Sequence, residues 1–152
     1  MRKGLILTFF IFVMATLAGC GDNPRTEITS SSVENSIATG SITQVFEGYR
    51  PARIELMVYD FNDIPKVDDP RDYKQVSSWL VDYAHCYQNG VELERSYYYH
   101  HEDSFKQGKR CKLTVFYQVP DDGKYEGLKF SFDLDGFKAS SEGEFNNNVK
   151  TD

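Results

Sequence analysis

The sequence carries little positive charge. Its 152 residues include 17 Lys and Arg against 23 Asp and Glu, which gives a formal net charge of −6. A protein that binds nucleic acid needs a positive field to neutralise phosphates, so the composition argues against DNA or RNA as a partner. The length allows one sizeable domain, because single domains usually hold roughly 100 to 200 residues.

Long apolar runs are also missing, except near the first residue. Residues 4–17 contain no charge and follow Met1-Arg2-Lys3. A membrane-spanning helix needs roughly 20 apolar residues, and this run is shorter. The short run after a positive start therefore indicates a signal peptide over residues 1–19.

The segment Leu17-Ala18-Gly19-Cys20 ends this region and resembles the lipobox of bacterial lipoproteins. The resemblance implies that residues 1–19 are removed and that Cys20 carries acyl chains such as palmitate. Two or more chains anchor a protein stably, because each buried methylene contributes about 0.8 kcal/mol. Without Arg2 and Lys3, 15 basic side chains remain against 23 acidic ones, a net charge of −8. We expect an acidic protein on the extracytoplasmic face of the cell membrane.

Cysteine is scarce, with three in the chain. Once Cys20 is acylated, Cys86 and Cys111 remain as an even pair in an exported protein, and such pairs usually form disulfides. The bond would close a loop of about 25 residues and stabilise the fold by roughly 3 kcal/mol on the chain-entropy account. Two buried free thiols are the alternative. A metal site built on both thiolates is disfavoured, because the sequence has no Cys-x-x-Cys spacing.

Large apolar residues are sparse at both flanks of the exported chain. Residues 21–41 are rich in Ser, Thr, Asn and Gly, a composition that cannot bury enough surface to fold alone. We therefore expect a flexible tether over residues 20–41, which would lift the domain by about 25 Å. The polar composition of residues 140–152 predicts a loose tail. The folded domain is expected between them, at residues 42–139.

Strand patterns dominate the expected domain. Apolar residues alternate over residues 90–100, 111–119 and 128–134, and residues 53–61 are apolar on both faces. Asn89-Gly90 is a strong hairpin turn signal. Several short strands with turns between them predict an all-β fold of two packed antiparallel sheets.

Residues 70–87 fit two structures. For a helix, Asp69-Pro70 supplies a start, and large residues recur at helical spacing: Tyr73, Val76, Leu80 and Tyr83. For a strand, the alternating set leads into the Asn-Gly turn: Trp79, Val81, Tyr83, His85 and Tyr87. Periodicity alone leaves both structures open.

The segments Val-Tyr-Asp-Phe-Asn-Asp at 58–63 and Tyr-Gln-Asn-Gly-Val-Glu-Leu-Glu at 87–94 carry a family resemblance. They are similar to an immunoglobulin-like domain family of unknown function, found in bacterial, mostly Gram-positive, surface lipoproteins. The resemblance covers about residues 54–134 and implies an immunoglobulin-like β-sandwich with a strand over residues 79–87. Trp79 would then be a core anchor. The family transfers no catalytic residue to this chain.

Enzyme signatures are absent: the chain has no Gly-x-Ser-x-Gly, Walker loop or His-Glu-x-x-His. His85 adjoins Cys86, but neighbours on a strand face opposite sides of a sheet. We therefore expect a protein that is not an enzyme and that needs no cofactor.

Metal binding is the alternative function. His85, His100 and His101 could supply ligands for copper or zinc, with Glu102 and Asp103 nearby. Because adjacent residues on a strand face opposite ways, His100 and His101 fit a solvated strand end better than one metal site. A run of carboxylates could in turn hold calcium, although its spacing matches no EF-hand: Asp60, Asp63, Asp68, Asp69 and Asp72.

Three consecutive tyrosines, Tyr97, Tyr98 and Tyr99, place phenol rings on both faces of one predicted strand. If one face packs inward, the other presents aromatic rings with hydroxyls, which are enriched in interfaces. Strand propensity alone also explains them. The sequence thus predicts a lipid-anchored, non-catalytic binding module, whose partner is a protein or another envelope component contacted around Tyr98 and the residues 60–72.

Overall fold

The structure is a computed structural model that describes residues 23–34, 45–62, 66–142 and 146–147. In these ranges, the secondary structure consists of strands, one α-helix and a short 3-10 turn. In chain order the elements are β1 (Arg25–Val33), β2 (Tyr49–Tyr59), α1 (Tyr73–Val81), β3 (Ala84–Gln88), β4 (Val91–Glu92), β5 (Arg95–His100), the 3-10 turn (Glu102–Ser104), β6 (Arg110–Pro120), β7 (Leu128–Phe132), β8 (Ala139–Glu142) and β9 (Asn146–Asn147).

The strands form two sheets. The five-strand sheet has the order β5-β6-β2-β1-β9, and the four-strand sheet has the order β4-β3-β7-β8. Neighbouring strands are antiparallel, apart from the parallel pair of β1 and β9. The predicted all-β sandwich is confirmed. The orders β1-β2-β6-β5 and β4-β3-β7-β8 correspond to the orders A-B-E-D and C′-C-F-G of immunoglobulin-type sandwiches.

The core lies between the two sheets. It is formed by the apolar residues that alternate along the predicted strands. Five residues of β6 point inward and are buried: Cys111, Leu113, Val115, Tyr117 and Val119. Opposite them, β7 contributes Leu128, Phe130 and Phe132. On β2 the inner set is Ala52, Ile54, Leu56 and Val58. The residues between them form the outer faces of the sheets, where binding surfaces would lie.

The loop between β6 and β7 is fixed by Tyr125. Its ring is buried, and its hydroxyl donates to the Asp121 carboxylate at 2.8 Å. Arg50 at the start of β2 donates to the same carboxylate, and these two bonds hold the pKa of Asp121 below its usual value. Immunoglobulin domains also have a tyrosine at this corner, but its hydroxyl bonds to the backbone, whereas the acceptor of Tyr125 is the Asp121 side chain.

Both flanks belong to the sandwich, contrary to the predicted tether and tail. β1 covers residues inside the expected tether and pairs with β2 from Arg25↔Tyr59 to Val33↔Ala52. Val33 is fully buried. At the other flank, β8 pairs with β7 and β9 pairs with β1. The boundaries 42–139 are therefore too narrow. The sequence pattern did not predict β1, because the strand is rich in Ser and Thr. Its few inward apolar residues are buried only by packing against the opposite sheet.

The predicted strand over residues 79–87 is wrong for its first half. Residues 73–81 are helical, and β3 begins at Ala84. Asp72 caps the helix, because its side chain accepts the Lys74 backbone N–H at 2.9 Å. Val76 and Leu80 bury the inner side of the helix in the core, and Trp79 packs partly buried against it. Burial on the helical face therefore outweighed the alternating pattern.

Residues 90–100, which the alternation predicts as one strand, form two strands that belong to different sheets. β4 pairs with β3 as the predicted Asn89-Gly90 hairpin, where both turn residues have positive φ. The chain then crosses at Leu93-Glu94, and β5 joins the five-strand sheet. A bulge between Arg95 and Tyr97 shifts the register, which explains why Arg95 breaks the sequence alternation.

The predicted disulfide is wrong, because Cys86 and Cys111 are free, buried thiols. Cys86 on β3 pairs with Phe130, whose ring lies 6.4 Å from that of Tyr117. Cys111 lies six residues before Tyr117 on β6, or about 20 Å along an extended strand. A disulfide requires Cα atoms within about 7 Å, so the two thiols sit too far apart to bond.

Candidate contact surface

The three tyrosines lie on β5, at one edge of the five-strand sheet. Tyr97 pairs with Phe116 and Tyr99 with Thr114, whereas Tyr98 pairs with the inward-facing Val115. The register therefore places Tyr98 on the opposite side of β5 from its two neighbours, although its ring still stacks with that of Tyr97 at 6.3 Å between centroids. Tyr98, however, points to the inner side, where its hydroxyl lies 3.2 Å from Ser78 Oγ on α1. The outward rings are those of Tyr97 and Tyr99, so a contact centred on Tyr98 does not fit the structure.

Tyr97, Tyr99 and Phe116 form an aromatic cluster on the outer face. The rings of Tyr97 and Tyr99 meet edge to face, with centroids 4.9 Å apart. Tyr99 in turn packs against Phe116 with 5.9 Å between centroids. Both tyrosines are half-buried, while Phe116 is buried beneath them. The two phenol rings are thus held in fixed positions by a buried neighbour.

Phe46 is an exposed aromatic residue whose backbone is attached to β6. Its backbone N–H donates to Gln118 Oε1 at 2.9 Å, and Gln118 is the next outward residue after Phe116 on β6. The Phe46 side chain is 54% exposed. An isolated exposed apolar residue is ordinary, so Phe46 is not counted as part of the contact surface.

A polar network borders the aromatic cluster on the same face. His101 Nε2 lies 2.8 Å from Thr114 Oγ1, and Thr114 donates to Glu55 at 3.5 Å. Arg53 donates to the same carboxylate, and the Lys112 ammonium lies 3.6 Å from it. Burial, followed by the nearby Lys112 charge, lowers the pKa of His101. The network presents hydrogen-bonding groups beside the rings with its carboxylate already paired.

His100 belongs to the inner side and joins β5 to the helix. Its Nδ1 contacts Ser77 Oγ, and its ring meets that of Tyr73 edge to face at 6.3 Å. Burial, with the Lys74 charge second, lowers the pKa of His100. A serine beside a histidine suggests a nucleophile, but Ser77 is 1% exposed and also donates to the Tyr73 carbonyl at 2.6 Å. This pair fixes the helix against the sheet.

The histidines proposed as metal ligands do not converge. His85 lies on the four-strand sheet, His100 faces the helix and His101 faces outward. Among the residues that the structure describes, no group of three or more His, Cys, Asp and Glu side chains is placed to hold a metal ion.

Three of the carboxylates proposed for calcium, Asp60, Asp69 and Asp72, have protein partners instead. Asp69 binds the Arg71 guanidinium at 3.0 Å, which holds the pKa of Asp69 below its usual value. Asp72 caps α1, and Asp60 lies within 4.0 Å of Arg25 and Lys109. Asp63 lies outside the described residues, as does Cys20, the predicted lipidation residue.

The sequence reasoning missed a groove of about 660 Å³ on the outer face of the four-strand sheet. Its walls include Tyr87, Lys129, Ser131 and Asp133. Beside it, His85 Nδ1 contacts Glu92 at 2.7 Å, and Asp133 lies 4.0 Å from the other ring nitrogen. The Asn-Gly turn and the alternation of β3 already placed His85 and Tyr87 on one face, which is the signal that could have indicated this surface.

Fold and surface together define a class: a two-sheet β-sandwich with an immunoglobulin-type strand order and an aromatic outer face. None of the helices described in the structure has the length and apolarity that a membrane span needs. No family model matches the chain, and no curated protein and no solved structure matches it either. The resemblance to a family of surface lipoproteins therefore stays a prediction.

Proposed function

We propose that this protein is a lipid-anchored binding module of the cell envelope, which acts by non-catalytic contact with a protein or another envelope component. The observation that carries the proposal is the outward direction of Tyr97 and Tyr99 on β5. The intervening Tyr98 packs inward against α1, so the two outward rings are not needed to attach the helix.

Binding surfaces often combine rigid aromatic anchors with polar neighbours. Tyr99 rests on the buried Phe116, so little side-chain freedom is lost when a partner covers it. The neighbouring network around Glu55 supplies hydrogen-bonding side chains on the same face. This combination supports a contact surface better than strand propensity alone does, because propensity requires no ordered polar network beside the rings.

The proposed anchor holds the sandwich near the membrane. Acylated Cys20 would lie five residues before Arg25, where β1 begins. An extended chain of five residues spans at most about 18 Å, less than the reach of the tether expected from composition. The domain then sits close above the lipid surface, with the outer face of the five-strand sheet available at its side.

The alternative, copper or zinc binding by His85, His100 and His101, lacks a shared site, because the three rings lie on three different surfaces. We therefore favour a binding module without a metal.

Cross-linked capture from intact cells, read out by mass spectrometry, tests the proposal. The full chain should enrich one dominant partner, and the Tyr97→Ala/Tyr99→Ala variant should lose it. Truncating an aromatic anchor costs on the order of 1–2 kcal/mol, so the double variant should bind at least tenfold more weakly. Val91→Ala is the matched control, because Val91 is 68% exposed on the other sheet. Equal capture by the wild type and the double variant would remove the aromatic cluster from the contact.

A further inference from the structure

A basic turn stands out on this acidic protein. The sequence Lys106-Gln107-Gly108-Lys109-Arg110 joins the 3-10 turn to β6 and holds three positive charges without a carboxylate. Lys106 and Arg110 bond to each other through their backbones at 2.9 and 3.0 Å, and Gly108 supplies the positive φ that the tight turn needs. Both basic side chains are exposed, so the turn presents its charge to the surroundings.

The turn lies beside the point where the chain leaves for Cys20. The Asn23 backbone N–H donates to the Asp60 carboxylate at 2.9 Å, and the Asp60 N–H donates to the Lys109 carbonyl at 3.0 Å. Phe61 N–H donates to the Gly108 carbonyl at 2.9 Å. Asp60 therefore links the first described residue directly to the basic turn, and Arg25, which is paired with Glu27 at 2.9 Å, lies 4.0 Å from the same carboxylate.

The reach of the chain places this turn near the proposed anchor. Cys20 and Asn23 are three residues apart, which limits their separation to about 10 Å. Acylated Cys20 sits at the lipid surface, so the end of the sandwich that carries Asn23 cannot stand far from it. Charges within about 8–10 Å of an anionic surface interact with it at physiological ionic strength.

The two ends of the sandwich differ in charge. At this end Arg25 and the three basic residues of the turn balance four carboxylates, so this end is neutral: Glu27, Asp60, Glu102 and Asp103. The opposite end is acidic, with five carboxylates against Arg50 and Lys124: Glu34, Glu47, Asp121, Asp122 and Glu126. An anionic membrane therefore repels the second end, and at the first end it meets the exposed side chains of Lys106 and Arg110 on a neutral background.

We propose that the Lys106–Arg110 turn docks on anionic phospholipid headgroups and orients the anchored sandwich, with the acidic end away from the membrane. This inference rests on the proposed acylation of Cys20 for its placement. Each basic side chain near an anionic surface strengthens the association by a factor of about five. The turn would orient the domain and add to the attachment that the acyl chains already provide.

Paramagnetic relaxation in lipid nanodiscs tests the docking. The exported chain, residues 20–152, is coupled through the Cys20 thiol to a maleimide lipid, because the buried Cys86 and Cys111 stay unmodified. Gadolinium-bearing lipids then broaden the amide signals of residues near the surface. With about 30% phosphatidylglycerol, we expect strong broadening at residues 106–110 and none at 121–124. Phosphatidylcholine alone, or about 0.5 M salt, should reduce the broadening at least fivefold.

Matched variants decide the outcome. Lys106→Gln/Arg110→Gln should abolish the lipid-dependent broadening, whereas Lys124→Gln at the opposite end should change nothing. Broadening that is equal in both lipids, that survives the double variant or that reaches residues 121–124 would overturn the proposal. Because the anchor is attached chemically, failure of docking is distinct from failure of acylation, which incorporation of labelled palmitate at Cys20 measures separately.

Discussion

His100 and His101 are neighbours in sequence, yet they serve different faces of one sheet. His100 joins β5 to α1 through Ser77, and His101 joins the outer network through Thr114. Burial is the largest cause of a lowered pKa at each ring. The alternation of a strand predicts their opposition from sequence alone, but it does not tell which ring meets the helix.

These two histidines predict a loss of stability in mild acid. Their pKa values are lower in the folded protein than the unfolded value of about 6.5, so the unfolded chain binds protons first as the pH falls. The contribution of the two histidines to stability is therefore fully present above about pH 6.5. It is lost as the pH falls from there to below their folded pKa values. We expect a lower Tm at about pH 5.5 than at about pH 7.5. His100→Asn/His101→Gln, which keeps one nitrogen donor at each site, should show a smaller decrease, and an unchanged decrease would contradict this origin.

The buried thiols predict inertness in the native protein. Cys86 is 0% and Cys111 2% exposed, and burial raises the pKa of each thiol to about 12. Because the thiolate is the reactive form, a Cys20→Ser protein should show no thiol titratable by a colorimetric reagent when folded. In denaturant without reductant it should show both. Absence of thiols in denaturant would mean that the disulfide exists after all.

At the scale of elements, the sequence predicted those that contain their own apolar pattern. β6 alternates apart from the outward Phe116, and the Asn89-Gly90 turn defines the β3–β4 hairpin by its own backbone preference. The stability of β1 and α1 depends on packing against residues far away in sequence. β1 packs against the opposite sheet, and α1 packs against the inner side of β5. Tyr98 is inward because α1 packs there, so local pattern could not select the outward tyrosines.

β1 provides a direct test of this tertiary dependence. Val33 is fully buried, so Val33→Asp would place an unpaired charge in the core and cost at least ~3 kcal/mol of unfolding free energy. Thr29→Asp, at the exposed bulge of the same strand, should stay within about 0.5 kcal/mol of the wild type. Urea unfolding followed by circular dichroism gives both values. Equal stability of the two variants would contradict the packing of β1 in the sandwich and would favour a tether over residues 20–41.

At the scale of the whole molecule, the proposed contacts use different surfaces. The basic turn is proposed to face the membrane and the aromatic cluster of the five-strand sheet to face a partner, while the groove of the four-strand sheet lies on the opposite side. One anchored domain can hold all three without conflict, because the two sheets face away from each other across the core. The division also explains why the charge of the chain as a whole, which is acidic, does not describe each of its surfaces.

Photo-cross-linking from single positions of β5 tests the central claim most directly. A benzophenone side chain replaces Tyr97, Tyr98 or Tyr99 in turn, and Val91 on the other sheet serves as an outside control. After illumination of intact cells, we expect intermolecular products from positions 97 and 99 and none from 98 or 91, with circular dichroism confirming that each variant is folded. Products from 98 or 91 at the same yield, or none from 97 and 99, would contradict a contact made by the outer aromatic face.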